Sequence, residues 1–294
     1  MEPVRTVRRR LADLLLARVA GPDAHTARSR IHDTPGTRWF TADDPIQRVH
    51  GDASMYVGGL RALLLQSLHP LAMAAVADFS DYRSDPWGRL ARTSTFIAET
   101  TFATVDDAEQ AIAVVGAVHR HITGTAPDGR PYRADDPHLL TWVHVAEIDS
   151  FLTAHQRFGR RPLTAAEADR YVAQAAGVAH RLGAEVVPTT RAELTALVED
   201  YRPELAPTPA ALEAADFILH RPPVQGAARA GYALIGRGAV ATLPSWAREP
   251  LGLPVRPRRD ATVGRAAGAL ATRGLRWVLG GVERVEPTDS PRTA

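Results

Sequence analysis

The sequence predicts an all-α protein, and three observations carry that expectation. Apolar residues recur at helical spacing of three and four along most of the chain. Helix starts are signalled repeatedly, by Asp85-Pro86, Asp136-Pro137 and Thr208-Pro209 and by the boxes Thr164-x-x-Glu167 and Thr190-x-x-Glu193. No run alternates apolar and polar as a half-buried strand would, and nothing repeats at a period of roughly 20 to 50 residues. The result is a single domain, 1–294, of about ten helices.

Taken in order, residues 3–20 form a first, amphipathic helix ended by Gly21-Pro22, and 21–55 is loop-rich. A helix starts near Gly59 and is kinked or split by Pro70, just after His69. The next opens at Asp85 and continues to about Phe102. Asp106 or Asp107 caps another, which ends near Gly124, and 125–135 makes a surface turn. Asp136-Pro137 opens a helix to about Phe158, and the two Thr/Glu boxes open two more. Further helices cover Thr208 to Arg221, 224–242 and 261–279, with an irregular connection from Pro244 to Pro257. Residues 283–294 form a disordered tail, and 45–245 hold the catalytic core.

Composition narrows the chemistry. The 294 residues include 35 basic ones, all Arg, and the net charge is +2, so no overall field points to nucleic acid. The absence of Cys removes disulfides, thiolate nucleophiles, iron–sulfur clusters and Cys-ligated metal. Any metal must be held by His, carboxylate or Tyr. No run of about 18 uninterrupted apolar residues occurs, so no transmembrane helix is expected, and the cytoplasm is the default compartment.

Two helical faces carry polar groups where the pattern expects core. Arg89, Arg92, Thr93 and Phe96 share one stripe, and Ile112, Val115 and His119 share another. His144 lies on an inward face with Leu140, Ile148 and Phe151, whereas Glu147 reads as a surface charge. A His on an apolar face is either a hydrogen-bonded core residue or a ligand, and an Arg/Thr stripe is either a solvated face or an anion-facing wall. The sequence leaves both pairs of readings open. His69 reads as an acid–base group or as a helix cap.

The runs Gln66-x-x-His69-Pro70, Asp85-Pro86-x-x-Arg89-x-x-Arg92-Thr93, Val118-His119 with Gly124, Tyr132-x-x-x-Asp136-Pro137 and Trp142-Val143-His144 resemble the oxygenase family of bacterial latex clearing protein (rubber oxygenase) and fungal MpaB. The resemblance covers roughly residues 50–240. It implies a globin-like core, haem b as cofactor, and His119 as the single axial ligand of the iron. It also implies that Arg89, Arg92 and Thr93 line the distal side with His69 as acid–base group, and that Arg89 and His144 complete the cofactor site. Arg92 stands where the rubber enzymes carry Lys, and their distal carboxylate has no clear counterpart. The activity implied is an oxygenase or peroxidase-like oxidoreductase taking an apolar small molecule with dioxygen or peroxide. The alternatives are a non-haem metal oxygenase using His69, His119 and His144, and a haem-free protein that binds a hydrophobic ligand.

Overall fold

The computed structural model describes residues 2–21 and 23–280, and the tail expected to be disordered lies outside them. Helices α1 (Glu2–Ala20) and α2 (Ala24–Asp33) lead into α3 (Pro45–His50) and α4 (Met55–Gln66). Two elements therefore fold within the stretch expected to be loop-rich. α2 has neither Gly nor Pro inside it, and α3 starts on the Asp44-Pro45 pair. Asp44 does not cap α3 with its side chain. Its carboxylate instead accepts from Thr41 N at 2.7 Å and Gln174 Nε2 at 2.7 Å, and it pairs with Arg170, which fixes the loop onto a later helix.

Pro70 splits rather than kinks: α4 and α5 (Pro70–Phe79) meet at 108°. No single helix among the described residues is long and apolar enough to cross a membrane. The helices α6 (Pro86–Phe102) and α7 (Val105–His119) form an antiparallel hairpin. Asp85 caps α6 by accepting from Gly88 N, and Thr104 caps α7 by accepting from Asp107 N, so the cap is neither of the aspartates expected.

The expected surface turn is a small β-hairpin, β1 (Thr123–Thr125) with β2 (Pro131–Arg133). α7 stops at His119, and Gly124 lies under the Tyr132 ring, where an added Cβ would come 2.4 Å from the hydroxyl. Tyr132 OH donates to Asp78, which ties the hairpin to α5.

The long helix α8 (Pro137–Phe158) is the centre of the molecule. Asp136 caps it by accepting from His138 N and Leu139 N, and Trp142, Val145, Ala146 and Ala154 on it are fully buried. α9 (Ala165–Leu182) and α10 (Arg191–Asp200) pack on α8, each opened by the capping box expected. α11 (Pro209–His220) and α12 (Ala227–Thr242) follow, then the short turns α13 (Ser245–Arg248) and α14 (Pro257–Arg259). A π-turn at Asp260–Gly264 leads into α15 (Arg265–Leu279), later than the expected start at 261.

Arg61 pins α4 to its neighbours from inside the core. Its guanidinium donates to Ser150 Oγ at 2.6 Å and to the Thr242 carbonyl at 3.1 Å, and pairs with Asp149 at 2.7 Å. α12 and α15 cross at Gly238 and Gly268, where a Cβ on Gly238 would stand 2.8 Å from the Gly268 Cα. Backbone cannot yield as a flexible side chain can. Gly238→Ala should therefore destabilise the fold by about 1–3 kcal/mol in urea unfolding. An unchanged midpoint would show that the crossing has slack.

Candidate functional site

The α6–α7 hairpin sets the geometry of the site. Arg89 and His119 lie at similar distances, roughly fourteen and sixteen residues, from the Ala103–Thr104 turn, so they come to the same end of the hairpin. At the turn end Thr100, Thr101, Ala103, Ala108 and Ile112 are buried. At the other end the packing loosens: Arg89 and Phe96 are half-buried, Arg92 and Thr93 are exposed, and Leu90, Val114 and Val118 are exposed apolar side chains. The pair leans on α1, α3 and α9 but barely touches α8.

His119 closes α7 at that loose end. It is half-buried, and its Nδ1 is sealed from solvent without a hydrogen-bond partner. Desolvation lowers its pKa, with the Asp135 carboxylate acting in the opposite direction, so the neutral imidazole is favoured. Arg89 donates to Ser80 Oγ, and burial makes its charge costlier without removing it. Arg92 reaches Asp85 only at 3.6 Å, with both side chains more than half exposed.

On α8, Leu140, His144, Glu147 and Phe151 share a stripe at i, i+4, i+7 and i+11. Phe151 stacks edge-on against His50 of α3, so this stripe faces the α3 and α6 side. His50 spans α6 and α9, with Nδ1 2.8 Å from Thr101 Oγ1 and Nε2 3.2 Å from the Tyr171 hydroxyl. Burial lowers its pKa to about 3. His144 is likewise lowered to about 4, by burial and by nearby His180, and its Nε2 has no partner. His155 is fully buried with neither ring nitrogen partnered.

Glu147 departs from its expected place on the surface. It lies deep among α8 and α9, near Tyr171, and desolvation alone pushes its pKa up to about 7. It has no hydrogen-bond or ion-pair partner, yet the side chain retains accessible surface. Its stripe neighbours are packed, Leu140 against Ala179 and Ala184 of the α9 end and Phe151 against His50 of α3.

His69 lies elsewhere. It is 1% exposed at the start of α5, packed against Trp142, His138 and Tyr201. Trp142 and His144 point about 200° apart on α8, so His69 is on the opposite side of that helix from His144 and Glu147. The structure therefore brings Arg89 and His119 to one end of the hairpin and places His144 on α8 near His180 of α9, and it does not bring His69 to them. One cavity of about 280 Å³ lies on this side, beside His138, Tyr201 and Glu204, and a second of similar size lies beside Trp39 and Arg181.

The family profile described as ER-bound oxygenase mpaB/B'/Rubber oxygenase, catalytic domain, matches residues 47–273. The match spans most of the chain and continues past residue 245 into α15. No curated protein and no solved structure matches the chain. The chain belongs to this oxygenase family, and its helical domain is an oxygenase-class oxidoreductase domain.

The buried, unpartnered Glu147 gives a testable consequence for pH. In the unfolded chain its carboxyl titrates near 4.5, and in the fold at about 7. Between those values the unfolded state loses its proton while the folded state keeps it, so stability falls as pH rises through the window. Glu147→Gln should match wild type near pH 4 and exceed it by about 1–3 kcal/mol at pH 8 in urea unfolding. Parallel pH profiles for the two proteins would show that the carboxyl is solvated.

Proposed function

We propose that this domain binds haem b at the loose end of the α6–α7 hairpin, with His119 as the residue that holds the iron. There it oxidises an apolar small molecule with dioxygen or peroxide. The observation that carries the reading is the unpartnered Nδ1 of His119 at the loose end of the hairpin, the same end to which α6 brings Arg89. The donor set fits the group. A neutral imidazole is available, and Arg89 on the paired helix is a permanent cation suited to a propionate. Bound haem would supply the redox-active iron at which dioxygen or peroxide is activated.

The chain's own residues would do the rest. Arg89 holds its charge at any working pH and can anchor a propionate or stabilise negative charge developing on the oxidant. Arg92 and Thr93 are exposed and loosely held, so they can turn toward the same anion. His144 stays neutral at pH 7. The position of Glu147 transfers to it the acid–base role expected of His69. Its carboxyl is half-protonated near neutrality and can take or return a proton at Oε. The exposed aliphatic side chains favour an apolar substrate. A metal centre built from His69, His119 and His144 together is disfavoured, because α8 separates His69 from His144.

The test is spectroscopic. Full-length protein expressed with haem supplied should show a Soret band, and His119→Ala should lose it while His144→Ala keeps it. Arg89→Ala should retain the band but release haem to an apo-globin acceptor roughly tenfold faster or more, the loss of about one charge-assisted hydrogen bond. A band that survives His119→Ala would assign the ligand to another residue. No band in any variant would leave the haem-free binding reading in its place.

A further inference from the structure

We propose that His69, His138 and Glu204 form a second site, for a divalent zinc-like ion, on the opposite side of α8 from His144 and Glu147. The three residues come from three elements: His69 from the start of α5, His138 from the first turn of α8, and Glu204 from the 3-10 turn Arg202–Glu204 after α10. Their ligating atoms all lie within 4.8 Å of one another. His138 Nε2 is 2.9 Å from both Glu204 oxygens, and His69 Nε2 is 3.5 Å from Oε2. Ligands around an ion with bonds of about 2.0–2.1 Å stand about 3.3 Å apart, so small rotations suffice to close the set.

An ordinary ion pair between His138 and Glu204 leaves one observation unexplained. His69 is 1% exposed and its Nε2 is buried without a hydrogen bond, aimed at the carboxylate of Glu204. With Nδ1 accepting from Ala72 N, the Nε2–H faces Oε2 at 3.5 Å, long for a hydrogen bond, and coordination would draw the two groups closer. The tautomer can adjust. Coordination through Nε2 requires the proton on Nδ1, and the only bond given up is the 3.5 Å cap from Ala72 N, at the limit of hydrogen-bonding distance. The Tyr201 hydroxyl lies 3.2 Å from His138 Nδ1 and donates to the His138 carbonyl at 2.8 Å, which orients that ring as a second shell would.

Two imidazoles and one carboxylate leave a coordination position open, as catalytic rather than structural zinc sites do. The cavity of about 280 Å³ beside His138 and Glu204 is also lined by Thr141, Tyr201, Glu185 and Asp200. The additional carboxylates make this side attractive to a cation and leave room for water or a small exogenous ligand at the open position.

The experiment is calorimetric titration of chelator-treated full-length protein with zinc, since chelators in solution do not strip haem iron. One equivalent should bind with a Kd below about 1 μM. His138→Ala and Glu204→Gln, both at exposed positions that leave the core intact, should each weaken binding at least about hundredfold. His119→Ala should bind zinc as wild type does. Cobalt bound in the wild type should show intense ligand-field bands of low coordination number, which tests the site without any variant. No saturable binding, binding unchanged in both His138→Ala and Glu204→Gln, or binding lost in His119→Ala would each overturn the assignment.

Discussion

Burying α8 on every side is the constraint from which the rest of the structure follows. A central helix of 22 residues needs neighbours around its whole circumference. α4 covers one side, fixed by the Arg61 links to Asp149 and Ser150, and α9 with α10 covers another. The third side carries Leu140, His144, Glu147 and Phe151, covered by the C-terminal end of α9 and by α3, while the α6–α7 hairpin barely touches it. Close packing is the rule in protein interiors. What packing alone does not call for on this side is the pair of ionisable groups, His144 with Nε2 unpartnered and Glu147 with no ion pair.

The electrostatics of that face agree with its geometry. Desolvation lowers His50, His119, His144 and His155 and raises Glu147, so every one of these groups is driven toward its neutral form. Neutral imidazoles keep a lone pair for a metal, and a carboxyl titrating near neutrality can exchange protons. Membership in the oxygenase family gives this arrangement its chemical setting.

Much of this was legible in the residues themselves. The Asp-Pro, Thr-Pro and Thr-x-x-Glu starts named the helices because capping is local chemistry, and Asp85, Asp136, Thr164, Thr190 and Thr208 all cap as expected. His119 and His144 stood out because they interrupt apolar stripes. Glu147 did not: three residues from His144, it matches a surface position until α3 and α9 fold against it. The pairing of His138 with Glu204 joins residues 66 apart, which no local pattern announces. The β-hairpin escaped because three-residue strands are too short to show alternation. Its anchor, Tyr132 on Asp78, is again a long-range contact.

The haem site and the zinc-like site proposed above lie on opposite sides of one helix, with His119 on one and His69 on the other. Anomalous diffraction at the iron edge from crystals of the haem-loaded chain separates them most directly. The account predicts one iron peak, bonded to His119 at the loose end of the α6–α7 hairpin, with none at His69, His138 and Glu204. An iron peak bonded to His69 and His138, with His119 free, would contradict it.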